Sequence, residues 1–227
     1  MEPHDQPHRS PREVTIPPLG LPGLLRLPED AIGIVAFAHG SGSSRLSRRN
    51  NYVAEALGTA RLATLLFDLL DDEEAEDRRN VFDIPLLAAR LAAAADWLST
   101  NDATAHLPIG FFGASTGAAA ALVAAAENAR ISAVVSRGGR PDLAMESLRR
   151  VRAATLLIVG GLDHQVLELN RQAFAALRCE KELRVVPGAT HLFEEPGALD
   201  VVVELTRRWF EAHCGGASAK APGGHSL

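Results

Sequence analysis

Short apolar runs recur along the chain at 32–38, 62–67, 107–112, 131–135, 154–159 and 183–186, each bounded by turn-forming residues. Their length and their largely apolar character predict strands that are buried on both faces. Between them, apolar residues recur at spacings of three and four: Tyr52, Val53, Ala56 and Leu57; Leu87, Leu91 and Leu98; Val202, Leu205 and Trp209. That period belongs to helices with one face turned to a core. Strand and helix alternate, so the expected fold class is α/β, a mostly parallel sheet with helices on both faces. Two shorter segments, 14–16 and 24–27, precede the series and are expected to add an antiparallel edge.

The pattern fades at both ends. Residues 1–12 are polar and contain proline, and 214–227 are rich in Gly, Ala and Ser. Neither stretch can bury enough apolar surface to offset the cost of ordering, so both are expected to be disordered tails around one domain spanning 13–213. A composition of 47% hydrophobic and 22% charged residues fits a folded globular protein. Lys+Arg 23 against Asp+Glu 28 gives a net charge of -5, which disfavours a phosphate-rich partner, so no nucleic acid is expected. Cys179 and Cys214 form no CxxC pair and suit a reducing compartment. The start of the chain has no apolar signal-like stretch, and nowhere do about 18 apolar residues run uninterrupted. A cytoplasmic location without a membrane partner is the expectation. The histidines show no HExxH spacing, and neither GxGxxG nor GxxxxGK[ST] stands at a strand end, so no metal and no cofactor is expected.

In parallel sheets ligands bind beyond the carboxyl ends of the strands, which directs attention to the residues after each run. The run 107–112 leads into Gly113-Ala114-Ser115-Thr116-Gly117 and then an alanine-rich segment of high helix propensity. Strand, GxSxG and helix together make a sharp turn whose glycines avoid a clash with neighbouring backbone and whose serine is lifted clear of the sheet. Ser115 is therefore the candidate nucleophile. A serine hydroxyl needs a base to take its proton and an acid to orient that base. The run 154–159 is followed by Asp163, and 183–186 by His191. The blander roles are a small turn residue for Ser115, a helix N-cap for Asp163 and a surface imidazole for His191. Their placement after three strands, in the order Ser, Asp, His, favours a triad. Asp142, after 131–135, remains an alternative acid. His39 is expected to shape its loop, and His164 to point away from the group that Asp163 serves.

On these residues the chain resembles the α/β-hydrolases, and among them the small capless dienelactone hydrolase-like enzymes, over roughly residues 13–213. The resemblance implies an α/β-hydrolase fold without a cap domain and a serine hydrolase of small esters, lactones or thioesters. Amide or peptide hydrolysis on the same triad, and ligand binding without turnover, are the alternatives. Dienelactone hydrolase proper carries cysteine where this chain has Ser115, so the resemblance implies a serine esterase mechanism and leaves the substrate open. An oxyanion needs two N–H donors, of which Thr116 supplies one. The segment His39-Gly40-Ser41-Gly42 resembles the family's His-Gly-x oxyanion loop, which assigns the second to Ser41, with Gly42 as the alternative. Relatives that resemble the chain around HGSGSSR and SRGGRPDL also occur joined to phosphoribosyltransferase-like domains.

Arginines after two strands add a substrate expectation. Their blander roles are solvation and helix capping; against these, Arg137, and with it Arg45, is expected to grip an acidic group on a small-molecule substrate. The acidic run 71–79 is expected to be a solvated loop ahead of a helix that begins near Ile84. Too few residues lie between Val135 and Ala154 for a cap domain, so unless the acidic run or a partner chain covers it the pocket is expected to be shallow and open, disfavouring long acyl chains. The residues say nothing about oligomeric state.

Overall fold

An eight-stranded sheet runs through the computed structural model, which describes residues 10–215. The strands are β1 (Arg12–Ile16), β2 (Leu21–Arg26), β3 (Gly33–Ala38), β4 (Leu62–Phe67), β5 (Ile109–Ala114), β6 (Ile131–Arg137), β7 (Ala154–Gly160) and β8 (Lys181–Val186). Their order across the sheet is β1-β2-β4-β3-β5-β6-β7-β8. β2 pairs antiparallel with β1 and β4, and all other pairings are parallel. The mostly parallel sheet and its antiparallel edge are those expected from the apolar runs.

The inner parallel strands, β3 to β7, are mostly apolar because both faces are covered. β8, at the sheet edge, carries Lys181, Glu182 and Arg184 and is only partly buried, against the burial on both faces expected of the run 183–186. On one face Val35, Phe37, Phe112, Val135 and Ile158 pack toward α1 (Arg48–Thr59) and α8 (Ala198–Cys214). On the other, Ile34, Ala36, Phe111, Val134 and Leu157 meet α4 (Ile84–Thr100), α5 (Thr116–Glu127) and α7 (His164–Ala176). α5 sits deepest, with nine of its twelve residues buried, and its alanines permit that close seat. Strand order reverses sense at β3: the chain goes to β4 on one side and to β5 on the other. This switch point opens a crevice between the carboxyl ends of β3 and β5, where the 39–45 loop and Ser115 emerge side by side.

Three further expectations are corrected. The acidic run is not a loop but two short helices, α2 (Asp72–Glu76) and α3 (Arg78–Val81). Its acids fall at helix starts, where they satisfy free N–H groups and face the positive dipole end. Asp71 forms a capping box with Glu74, and Asp77 caps α3. Glu74 also binds Arg90 of α4 at 2.6 Å, which ties the segment down. Second, β6 continues to Arg137, so this arginine is the last strand residue, in register with Ala114 and Ile158, rather than a loop residue. Third, β1 begins at Arg12 and α8 runs through a buried Cys214, just beyond the expected limits. Burial pushes the Cys214 thiol up to about 12, so it carries no thiolate near neutrality. The remainder of the expected tails, at 1–9 and 216–227, lies outside the described residues. Among the described residues no helix is long and apolar enough to cross a membrane.

Candidate active site

Ser115 occupies the turn between β5 and α5 with φ 52 and ψ -121, a conformation that L side chains rarely adopt. The flanking glycines make it possible. A Cβ on Gly113 would stand 2.4 Å from Ala118 Cα, and one on Gly117 only 2.2 Å from the Ala38 carbonyl. The Ser115 N–H donates to the Arg137 carbonyl at 3.3 Å, and the Arg140 N–H donates to the Ser115 carbonyl at 3.0 Å. The backbone is thus pinned by the end of β6 and the loop that follows it. Ser115 stands at the N-cap of α5, yet its side chain makes no capping hydrogen bond. Ser47, at the same position of α1, accepts from the Asn50 N–H.

Asp163 behaves in the same way. It is the N-cap residue of α7 and makes no capping bond; instead its Oδ2 meets His191 Nδ1 at 2.7 Å. The carboxylate accepts from Nδ1–H, which leaves Nε2 as the proton acceptor of the ring. The alternative acid, Asp142, is engaged in a two-pronged contact with Arg140 at 2.9 and 2.8 Å. The structure therefore joins His191 to Asp163. The histidine loop is braced by the Leu162 N–H on the Ala189 carbonyl at 2.9 Å, and by Thr190, whose N–H and hydroxyl donate to Glu195 Oε1 at 3.1 and 2.6 Å. Gly138, in the loop that pins Ser115, lies under the imidazole: a Cβ there would be 3.6 Å from His191 Cε1. Among the described residues no hydrogen bond joins His191 Nε2 to Ser115 Oγ; such bonds often tighten only around substrate. His164 is exposed.

The loop after β3 is fixed by His39. Its Nδ1–H donates to the Gly40 carbonyl at 3.0 Å, and its Nε2 accepts from the Leu69 N–H at 3.1 Å. Burial holds this imidazole below its ordinary pKa, which keeps it in the neutral form that the pair of bonds requires. Gly40 lies against the nucleophile, where a Cβ would be 3.0 Å from Ser115 Cβ. The Ser41 N–H, expected to await an oxyanion, donates to Thr116 Oγ1 at 3.1 Å. Gly42, the alternative donor, is exposed at φ 68. A cavity of roughly 160 Å³ opens beside this loop and Thr116, with Ala75 of α2, Val81 of α3 and Leu87 of α4 in its far wall. The acidic segment thus walls this cavity, whose lining includes Thr116 but not Ser115, Asp163 or His191.

The two arginines part company. The Arg45 guanidinium pairs with Asp68, whose other oxygen accepts the Arg45 N–H at 2.6 Å. Arg45 thus enters the site already paired with a carboxylate. Arg137 has no such partner among the described residues: it is 8% exposed, and its Nε and Nη1 are buried without a hydrogen bond. Burial, with the Arg49 charge adding, pushes its pKa down to about 10, so it stays cationic at neutral pH. Arg49 itself binds Glu194 at 2.8 Å. Asn170, which the sequence pattern does not single out, is buried in α7 and donates to the Gly139 carbonyl at 3.0 Å, holding the loop that pins Ser115. Nothing distinguishes it from other helical polar residues until the fold brings that loop over it. Among the described residues no group of three or more His, Cys, Asp or Glu side chains is placed to hold a metal ion.

Comparison with known proteins bears on this geometry. The model of the Dienelactone hydrolase family matches residues 63–210. A dienelactone hydrolase from Anabaena variabilis is 53% identical, with a TM-score of 0.87 over 91% of this chain and 100% of that one. Est1E from Butyrivibrio proteoclasticus, at 16% identity and TM-score 0.75 over 89% of this chain and 98% of that one, shares the fold. Proteins of two Mycobacterium tuberculosis strains, each named "Putative phosphoribosyl transferase", are 60% identical over 205 residues, or 89% of this chain. The match covers 46% of their length, so the chain spans about half of these curated relatives.

Proposed function

The chain belongs to the dienelactone hydrolase family, and on that premise we propose that it is a serine hydrolase of small carboxylic esters, lactones or thioesters, working through an acyl-enzyme on Ser115. The observation that carries this reading is the pair of forgone caps. Ser115 and Asp163 both stand at helix N-caps and decline that role, the aspartate turning to His191 instead. A structural serine or aspartate at those positions would satisfy the helix.

The chemistry follows from the atoms. His191 Nε2 takes the Ser115 proton as the Oγ–C bond forms, and the imidazolium is stabilised by Asp163. The carbonyl electrons move onto oxygen, which faces the N–H of Thr116 at the start of α5. Collapse of the adduct breaks the bond to the leaving group, which departs with the proton from Nε2. Water, deprotonated by His191 Nε2, then attacks the acyl carbon; the acyl–Oγ bond breaks, the acid leaves and Nε2 returns its proton to Ser115 Oγ. The phosphoribosyl transferase name belongs to the longer relatives; the hydrolase reading concerns the segment shared with them. The test is a matched set of one short acyl group as ester, thioester and amide. Ester and thioester turnover well above amide turnover is expected; the reverse order would favour the amidase alternative.

Arg137 supports a finer reading, a substrate that bears an acidic group. A buried guanidinium without a carboxylate is electrostatically incomplete, and an anion beside it would complete it. Arg137→Gln is expected to raise KM for a carboxylate-bearing ester by about 10- to 100-fold, the worth of a charged hydrogen bond, and to change a neutral ester little. Equal changes for both esters would make Arg137 a packing residue.

A further inference from the structure

The oxyanion loop contains a contact that the general scheme does not use. The Ser41 N–H is already donated to Thr116 Oγ1 at 3.1 Å. Thr116 is 3% exposed, and it lines the cavity beside Ser115 together with Gly40 and Ser41. A hydroxyl has one proton to give and two lone pairs with which to accept. The Ser41 amide takes up one lone pair, and the hydroxyl proton meets no acceptor among the described residues. That proton is free for an acceptor that enters the cavity.

We infer that Thr116 is a catalytic residue through its side chain as well as its backbone: its hydroxyl, polarised by the Ser41 N–H, is the second oxyanion donor. In this arrangement Ser41 N–H, Thr116 Oγ1–H and the oxyanion form a chain in which each bond strengthens the next. No proton is transferred from Thr116. As Ser115 Oγ bonds to the carbonyl carbon and the π electrons move onto oxygen, the hydroxyl hydrogen bond shortens against the growing charge. Ser41 then acts through Thr116, a positioning role in place of the direct contact expected from the loop sequence. The inference rests on the serine hydrolase reading.

The experiment is steady-state hydrolysis of a short-chain nitrophenyl ester by the wild type and by Thr116→Val, Thr116→Ala and Thr116→Ser, with Ser115 labelling by a serine-directed phosphonate alongside. Valine keeps the shape and removes the hydroxyl; serine keeps the hydroxyl. The expected result is a kcat loss of about 10²- to 10³-fold in the valine and alanine variants with KM little changed, the usual effect of one missing oxyanion donor. The serine variant is expected to stay within several-fold of wild type. If Ser41 N–H were the direct donor, removing the hydroxyl would free it, and kcat would hold or rise in valine and alanine alike; that result overturns the inference. Should valine fail to fold, as seen in its thermal melt, the alanine and serine pair separates the two outcomes equally well. A wild type that neither turns over ester nor takes the label would overturn this inference together with the serine hydrolase reading. A labelled, active wild type with an unaffected valine variant overturns this inference alone.

Discussion

Ser115→Ala is expected to abolish ester turnover, a kcat loss of about 10⁶-fold, while leaving the fold intact. The two halves of that expectation have separate physical grounds. The hydroxyl makes no capping bond in the structure, so its removal orphans no helix N–H. Alanine meets the same backbone demand as serine at φ 52, since each carries one Cβ. The thermal midpoint should therefore move by no more than a few degrees, less than about 1 kcal/mol for a domain of this size. Kinetics and a melt on the same preparation check both halves. A variant that kept a tenth of the activity would place the nucleophile elsewhere.

Asp163→Asn is expected to be the next most damaging change, lowering kcat by about 10⁴-fold with KM little altered. An amide in place of the carboxylate can offer its N–H to Nδ1, which reverses the tautomer and places the proton on Nε2, where the serine needs an acceptor. It also removes the charge that stabilises the imidazolium. Asp142→Asn is the internal control. That carboxylate is paired with Arg140 at 2.9 and 2.8 Å, so its loss should change stability slightly and kcat by no more than a few-fold. The opposite ranking of the two variants would return the acid role to Asp142.

Much of this was legible in the residues because the signals are local. A strand buried on both faces needs a largely apolar run, and β3, β4, β5, β6 and β7 are such runs, each with at most a few small polar residues and, in β6, Arg137 at its end. GxSxG between a strand and an alanine-rich helix names Ser115 because close packing demands glycine on either side, as the contacts of Gly113 and Gly117 show. What escaped the sequence depends on contacts between distant segments. Arg45 reads as an open cation until Asp68, 23 residues on, folds back to meet it. Arg137 reads as a loop residue until pairing with β5 and β7 extends β6 through it. The acidic run reads as a solvated loop because charge density masks the capping pattern of Asp71, Glu74 and Asp77. The contact between Ser41 and Thr116 spans 75 positions and links two loops that meet only at the switch point of the sheet.

The most direct test of the central claim is trapping of the acyl-enzyme. Wild-type protein mixed rapidly with a short-chain nitrophenyl ester at neutral pH and quenched in acid should show a burst of nitrophenol close to one equivalent per chain. Peptide mass mapping should place the acyl group on Ser115. Acyl mass on another residue, or steady turnover in which neither burst nor adduct forms even when deacylation is slowed by a bulkier acyl group, would contradict a covalent serine mechanism.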